Sequence, residues 1–169
     1  VATADARLAL PETTLGIMPG AGGTQRLPRL IGIDHAIGVV AENLTLGGAE
    51  AAELGLIDRL VAEPLIDSAE AFLRAALERP LPEPVPRRPV AAADPLHMQE
   101  AETRIRRAAR GAAAPPLALA ALRFGLEQGF AAGMAHERAV FLELRASPEA
   151  AALRYLFFAE RAALRPADL

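Results

Sequence analysis

The sequence predicts an α/β fold that runs on into a helical C-terminal region. Two observations carry this. Over residues 1–79, short strand-like segments (Arg7–Leu10, Leu44–Leu46 and Asp58–Val61) interleave with segments of helical periodicity. Beyond a proline-dense stretch, apolar residues recur at helical spacing to the end of the chain. The expected organisation is a core portion at 1–79, a linker at 80–95 and a helical region at 96–169.

In order, Arg7-Leu8-Ala9-Leu10 alternates polar and apolar and reads as a strand that delivers Glu12 to its C-terminal end. A helix follows from about Gly22 to Ile31, with Pro28 inside it as a point of kinking or breakage. Asp34 is the expected N-cap of a helix from His35 to Glu42. After the strand-like Leu44–Leu46, a helix begins near Gly48, and Asp58–Val61 makes another short strand. Pro64 opens a helix to about Glu78, with Leu65, Phe72 and Leu73 among its apolar positions. Six prolines from Pro80 to Pro95 impose too much extended bias for helix or sheet, hence the linker. Leu96–Arg110 is helical, and its Arg104, Arg106, Arg107 and Arg110 read as a solvated face balanced by Glu100 and Glu102. Leu119, Leu122 and Leu126 form one helical stripe, and Phe141 and Leu144 belong to a helix from Met134 to Arg145. Ser147-Pro148-Glu149 is a helix start, with cap, first-turn proline and first-turn acid together. The helix it opens turns Leu153, Leu156 and Phe157 inward.

The chemistry concentrates at Pro11–Leu30. Glu12 stands alone, and between Gly16 and Gly23 four glycines and a proline fall in eight positions. Glycines let a ligand approach main-chain N–H groups, and a helix beginning near Gly22 directs its unpaired N–H groups toward them. A plain strand–turn–helix connection with a solvated Glu12 is one reading. A dinucleotide fingerprint begins at Gly20-Ala21-Gly22 but ends on Gln25 where a glycine is needed. A phosphate-binding P-loop fails because the chain has no lysine.

Pro11–Leu27 reads P-E-x-x-L-G-x-x-P-G-A-G-G-T-Q-R-L. It resembles, at every fixed position, the second active-site segment of the enoyl-CoA hydratase (crotonase) family. Ala51–Asp58 is similar to that family's A-x-x-L-G-L-V-D segment, although Gly47 stands where the family usually has a Ser or Thr cap. The resemblance implies an α/β fold that is the C-terminal part of a crotonase-type ββα spiral followed by a helical tail. It implies that Glu12 is one of two catalytic glutamates, the one exchanging a proton with the substrate α-carbon. It places the Gly20 N–H near the reacting water, and Pro11, Leu15, Pro19 and Gly20 against the acyl-CoA substrate. Burial beside Leu15 and Ile17 is expected to raise the Glu12 pKa. No metal and no prosthetic group is implied. A Δ3,Δ2-enoyl-CoA isomerase, which needs chiefly the Glu12-type residue, and a non-catalytic crotonase-like piece are the alternatives.

Phe141-Leu142-Glu143-Leu144, Ser147-Pro148-Glu149 and Leu153–Phe158 resemble the end of the hydratase domain in multifunctional fatty-acid-oxidation proteins. There an NAD-dependent 3-hydroxyacyl-CoA dehydrogenase follows, so NAD enters only through such a domain, and an oligomer or a thiolase is the partner implied for the parent. In the family, residues like Val1–Leu10 follow the segments that carry the other glutamate and the oxyanion-hole strands. The expectation is a C-terminal half that is inactive alone.

Composition narrows the rest. A net charge of −3 argues against phosphate-backbone binding, although all eighteen basic residues are Arg. With no cysteine, disulfides and thiolate chemistry are excluded. His35, His97 and His136 lack metal-ligand spacing. No apolar run reaches the roughly twenty residues of a membrane span. The default compartment is the cytoplasm.

Overall fold

Of the segment that alternates, only Arg7–Leu8 forms a strand (β1). It pairs antiparallel with Leu46–Gly47 (β2), in the register Arg7 with Gly47 and Leu8 with Leu46. The computed structural model describes residues 1–164, and residues 165–169 of the expected helical region lie outside the described residues. Eight α-helices are described: α1 Gly23–Ile31, α2 Ile33–Ala41, α3 Gly48–Glu53, α4 Leu65–Leu77, α5 Pro95–Ala109, α6 Ala114–Gln128, α7 Phe130–Ala146 and α8 Pro148–Ala163. Short 3₁₀ turns cover Pro11–Leu15 and Val85–Arg87. The strand expected at Asp58–Val61 is reduced to a parallel bridge between Ala2 and Leu60.

Local chemistry explains most helix boundaries. Ser147 caps α8, its side chain accepting the Ala150 N–H at 3.1 Å, and Pro148 follows at the first helical position. Asp94 does the same for α5, accepting from the Leu96 N–H at 2.9 Å. Asp34 does not cap α2. Gly32 is the N-cap, and Asp34 sits in the first turn, where its charge favours the helix N-terminus. Pro28 does not break α1. It lies on the buried side with Leu27 and Ile31, so packing outweighs a local cost of about 3 kcal/mol.

The core brings both ends of the chain together. Met18, Leu27 and Ile31 pack with Ala36, Ile37 and Val40 of α2, Ile105 of α5, Ala118 and Leu122 of α6, and Val140 and Leu144 of α7. By contrast α4 buries none of its residues. Leu65 and Leu73 are exposed, and Phe72 is half-buried under the Arg59 guanidinium, 5.3 Å from the ring centre. On α8, Leu153 and Phe157 are half-buried, but Leu156 is 53 % exposed, which corrects the inward face expected for it. The Arg-bearing face of α5 is tied by ion pairs: Arg104 to Glu42 at 2.6 Å, and Glu102 to Arg106 at 2.8 Å and to Arg123 at 3.5 Å.

One buried side chain organises the contact of α1 with the α6–α7 pair. Gln25, 1 % exposed, donates through Nε2 to the Ala121 carbonyl at 3.0 Å and to Thr24 Oγ1 at 2.9 Å. Its amide occupies the space where Gly125 and Gly133 would carry Cβ atoms, with Gln25 Cδ 2.5 Å from each of those positions. Gly125→Ala is therefore expected to lose about 1–3 kcal/mol through overpacking of a site whose neighbour is itself held by two hydrogen bonds. The urea midpoint should fall at unchanged m-value, and an unchanged midpoint would show that Gln25 can give way.

Candidate active site

Glu12 is held by a turn, not by a strand end. Pro11 opens the 3₁₀ segment Pro11–Leu15, which closes at Gly16 with φ 70°. That positive φ suits glycine, and a Cβ there would also lie 2.9 Å from Ala150 Cα of α8. Thr13 is buried and donates through Oγ1 to Asn43 Oδ1 at 2.7 Å, fastening the turn to the end of α2. The turn packs on α2, α6 and α8, so the position of Glu12 depends on helices distant in sequence.

Beside it opens a cleft of about 350 Å³, lined by Leu8, Ala9, Leu10, Glu12, Pro19 to Gly23, Arg26, Leu27, Val39 and Leu56. Its walls are largely aliphatic, with Glu12 and Arg26 as the charged members. Glu12 Oε2 is buried and has no hydrogen-bond partner among the described residues. Burial, the largest cause, pushes the Glu12 carboxyl above the usual carboxylate range. A hydrogen bond from its own backbone opposes this, and the charge of Glu137 adds to the rise.

Of the residues expected at the site, Glu12, Pro19 and Gly20 line this cleft together. Pro11 is exposed and Leu15 half-buried, both outside the lining, and Ile17 packs toward the core. The apolar neighbours at Glu12 are instead Leu8, Leu10 and Val39. Gly20 has a packing reason of its own, since its Cβ position lies 2.5 to 2.9 Å from ring atoms of Phe141 on α7.

The Gly22 and Thr24 N–H groups at the start of α1 are not open to a ligand, contrary to the expectation from sequence. Glu137 of α7, fully buried, accepts the Gly22 N–H at 2.5 Å through Oε1. Through Oε2 it accepts the Thr24 N–H at 3.0 Å and the Thr24 hydroxyl at 2.6 Å. A charge-assisted cap of this kind satisfies donors that an anionic ligand would otherwise use. Sequence reading missed Glu137. The available signal was its place in the run Gly133, Glu137, Val140, Leu144, whose spacing of four, three and four marks the buried face of α7. Arg26, which donates to the Ala21 carbonyl, was also missed. The histidines lie elsewhere: His97 Nδ1 is 3.3 Å from Asp34, and His136 stacks on Phe124 at 4.2 Å.

Glu12 is thus a half-buried carboxylate of raised pKa in a largely aliphatic cleft, beside a glycine-rich backbone. Residues 1–83 match the family described as enoyl-CoA hydratase/isomerase. Residues 1–83 belong to this family, the crotonases. Within it, the likeness runs to multifunctional fatty-acid-oxidation proteins. The chain is 37% identical to the peroxisomal bifunctional enzyme of Cavia porcellus over 166 residues, which is 96% of this chain and 23% of that protein. It is 33% identical to the peroxisomal bifunctional enzyme of Homo sapiens over the same shares. The chain thus spans about a quarter of the length of these relatives. A solved enoyl-CoA hydratase/isomerase from Pseudoalteromonas atlantica T6c has the same fold, with a TM-score of 0.57 at 22% identity, covering 94% of this chain and 52% of that one. Among the described residues, no helix is long and apolar enough to cross a membrane.

Proposed function

We propose that the chain supplies the proton-transferring carboxylate and the glycine loop of an enoyl-CoA hydratase site, which adds water reversibly to a 2-enoyl-CoA in fatty-acid β-oxidation. The observation that carries this is the place of Glu12 on the wall of the cleft that Pro19 and Gly20 also line, where burial raises its carboxyl pKa. Water addition to an unsaturated thioester needs a polarised thioester oxygen, an activated water and a proton for the α-carbon. Neutral Glu12 gives its proton to the α-carbon as the water oxygen bonds to the β-carbon and the family's second glutamate takes the water's proton; dehydration reverses both transfers. The Gly20 N–H orients the water, and the aliphatic walls take the acyl chain. Acyl-CoA is substrate here, and NAD belongs only to a dehydrogenase domain of a longer protein.

In this reading residues 1–79 form the C-terminal half of the crotonase core, 80–95 the linker and 96–169 the helical region, with the N-terminal half of the domain as the partner of the site. An oligomer or a thiolase partner belongs to the same proposal for the whole protein. A cytoplasmic place of action is part of the proposal too, although the similar relatives are named as peroxisomal. The test is to assay the full-length polypeptide on crotonyl-CoA and on a 3-enoyl-CoA. Hydration of the first supports the proposal. Isomerisation of the second without hydration would reassign the site to an isomerase, and neither reaction would leave a scaffold.

A further inference from the structure

We propose that Glu137 is a positioning residue: from α7 its carboxylate fixes the Gly20–Gly22 backbone at the wall where the acyl thioester has to lie. This rests on the hydratase reading above. Ordinarily a helix N-terminus is capped by the side chain of its own N-cap residue. At α1 that residue is Gly22, at φ 91°, and a side chain there would run into Arg26 and into Met134 Sδ at 2.9 Å. The cap comes instead from 115 residues away, as three hydrogen bonds to one fully buried carboxylate.

The same helix touches the loop at two further points. Met134 meets Gly22, and the Phe141 ring fills the place of a Gly20 side chain. Met134, Glu137 and Phe141 are separated by three and four residues, so one face of α7 is the template on which the loop is laid. For stability alone a buried carboxylate is a poor choice, because its desolvation cancels much of what its hydrogen bonds return. What it adds over an apolar contact is direction: both oxygens are used, and each donor has a fixed place. The charge of Glu137 also bears on Glu12 across the same region.

The test compares Glu137→Gln, Glu137→Asp and Thr24→Val with wild type in the full-length polypeptide. A misplacement of about 1 Å costs on the order of 10²-fold in turnover, so kcat per folded molecule for crotonyl-CoA should fall about that far in Glu137→Asp. KM should move less. The charged groups of the cleft and its floor are Glu12, Arg26 and Glu137. Arg26 is common to all variants, so a shift of the alkaline limb of activity to lower pH in Glu137→Gln, absent in Glu137→Asp, reads the lost charge. Amide exchange over Met18–Ala21, whose N–H groups Glu137 does not touch, should quicken in the variants. A role in stability alone would lower the folded fraction and leave kcat per folded molecule, the pH limb and that exchange unchanged, which overturns the proposal. Should Glu137→Gln fail to fold, Thr24→Val removes one of the three bonds, together with the Gln25 Nε2 bond to Thr24 Oγ1, and is read by kcat per folded molecule and by exchange, with the pH limb unmoved because the charge stays. An inactive wild type would refute the hydratase reading, while exchange over Met18–Ala21 would still decide for or against the clamp.

Discussion

Glu12→Gln in the full-length polypeptide is expected to lower hydration of crotonyl-CoA by about 10²–10⁴. Glutamine keeps the volume and the hydrogen-bonding capacity of the side chain but removes the proton that titrates. Because Glu12 Oε2 has no partner among the described residues, the substitution breaks no hydrogen bond to that oxygen, and circular dichroism should show an unchanged fold. Binding of an enoyl-CoA should stay within a few-fold, since the aliphatic walls and the glycine loop are untouched. The pH dependence follows from the direction of the shift. The folded state holds the Glu12 proton more tightly than the unfolded chain, so its contribution to stability is full below the ordinary carboxylate range and is lost as pH rises through the raised value. The hydration activity that needs the neutral acid falls over that same rise. Steady-state kinetics of the two proteins side by side decide the matter, and retained turnover in a folded Glu12→Gln would remove this residue from the mechanism.

Equally large is the deficit expected when the 169 residues are assayed by themselves. They carry Glu12 and the Gly20 loop, whereas the reaction calls on a second carboxylate and on two oxyanion donors. By family resemblance these belong to segments unlike any in this sequence. Loss of an oxyanion donor costs about 10²–10³ in rate and loss of a general acid or base about 10²–10⁴. Even without additivity the purified chain should turn over crotonyl-CoA several orders of magnitude more slowly than the full-length polypeptide. A comparable rate per mole would mean that Glu12 and the glycine loop suffice, or that a second copy completes the site.

The family likeness and the lone carboxylate were legible in the linear sequence because both are local. Pro11 to Leu27 is one unbroken run in which the glycines, the turn residues and the single carboxylate stand together. The same holds for the helix starts at Pro148 and Pro95, where Ser147 and Asp94 cap the backbone a few positions ahead. Strand extents were not legible. Arg7–Leu10 has the alternation of a strand, but a strand exists only as far as a partner is present, and Leu46–Gly47 offers two residues. Pro28 shows the same limit in a helix, where long-range packing overrode local preference.

The sequence by itself determined that a glutamate precedes a bare, glycine-rich backbone that turns into a helix. Only the tertiary structure decided what that helix end does. A free helix N-terminus invites an anion, and nothing near Gly22 in sequence closes it. The closing group is Glu137, brought in on α7 by the burial of Val140 and Leu144 on the same face. Contacts between residues so far apart depend on how helices pack, which is a property of the assembled core and not of any stretch of chain.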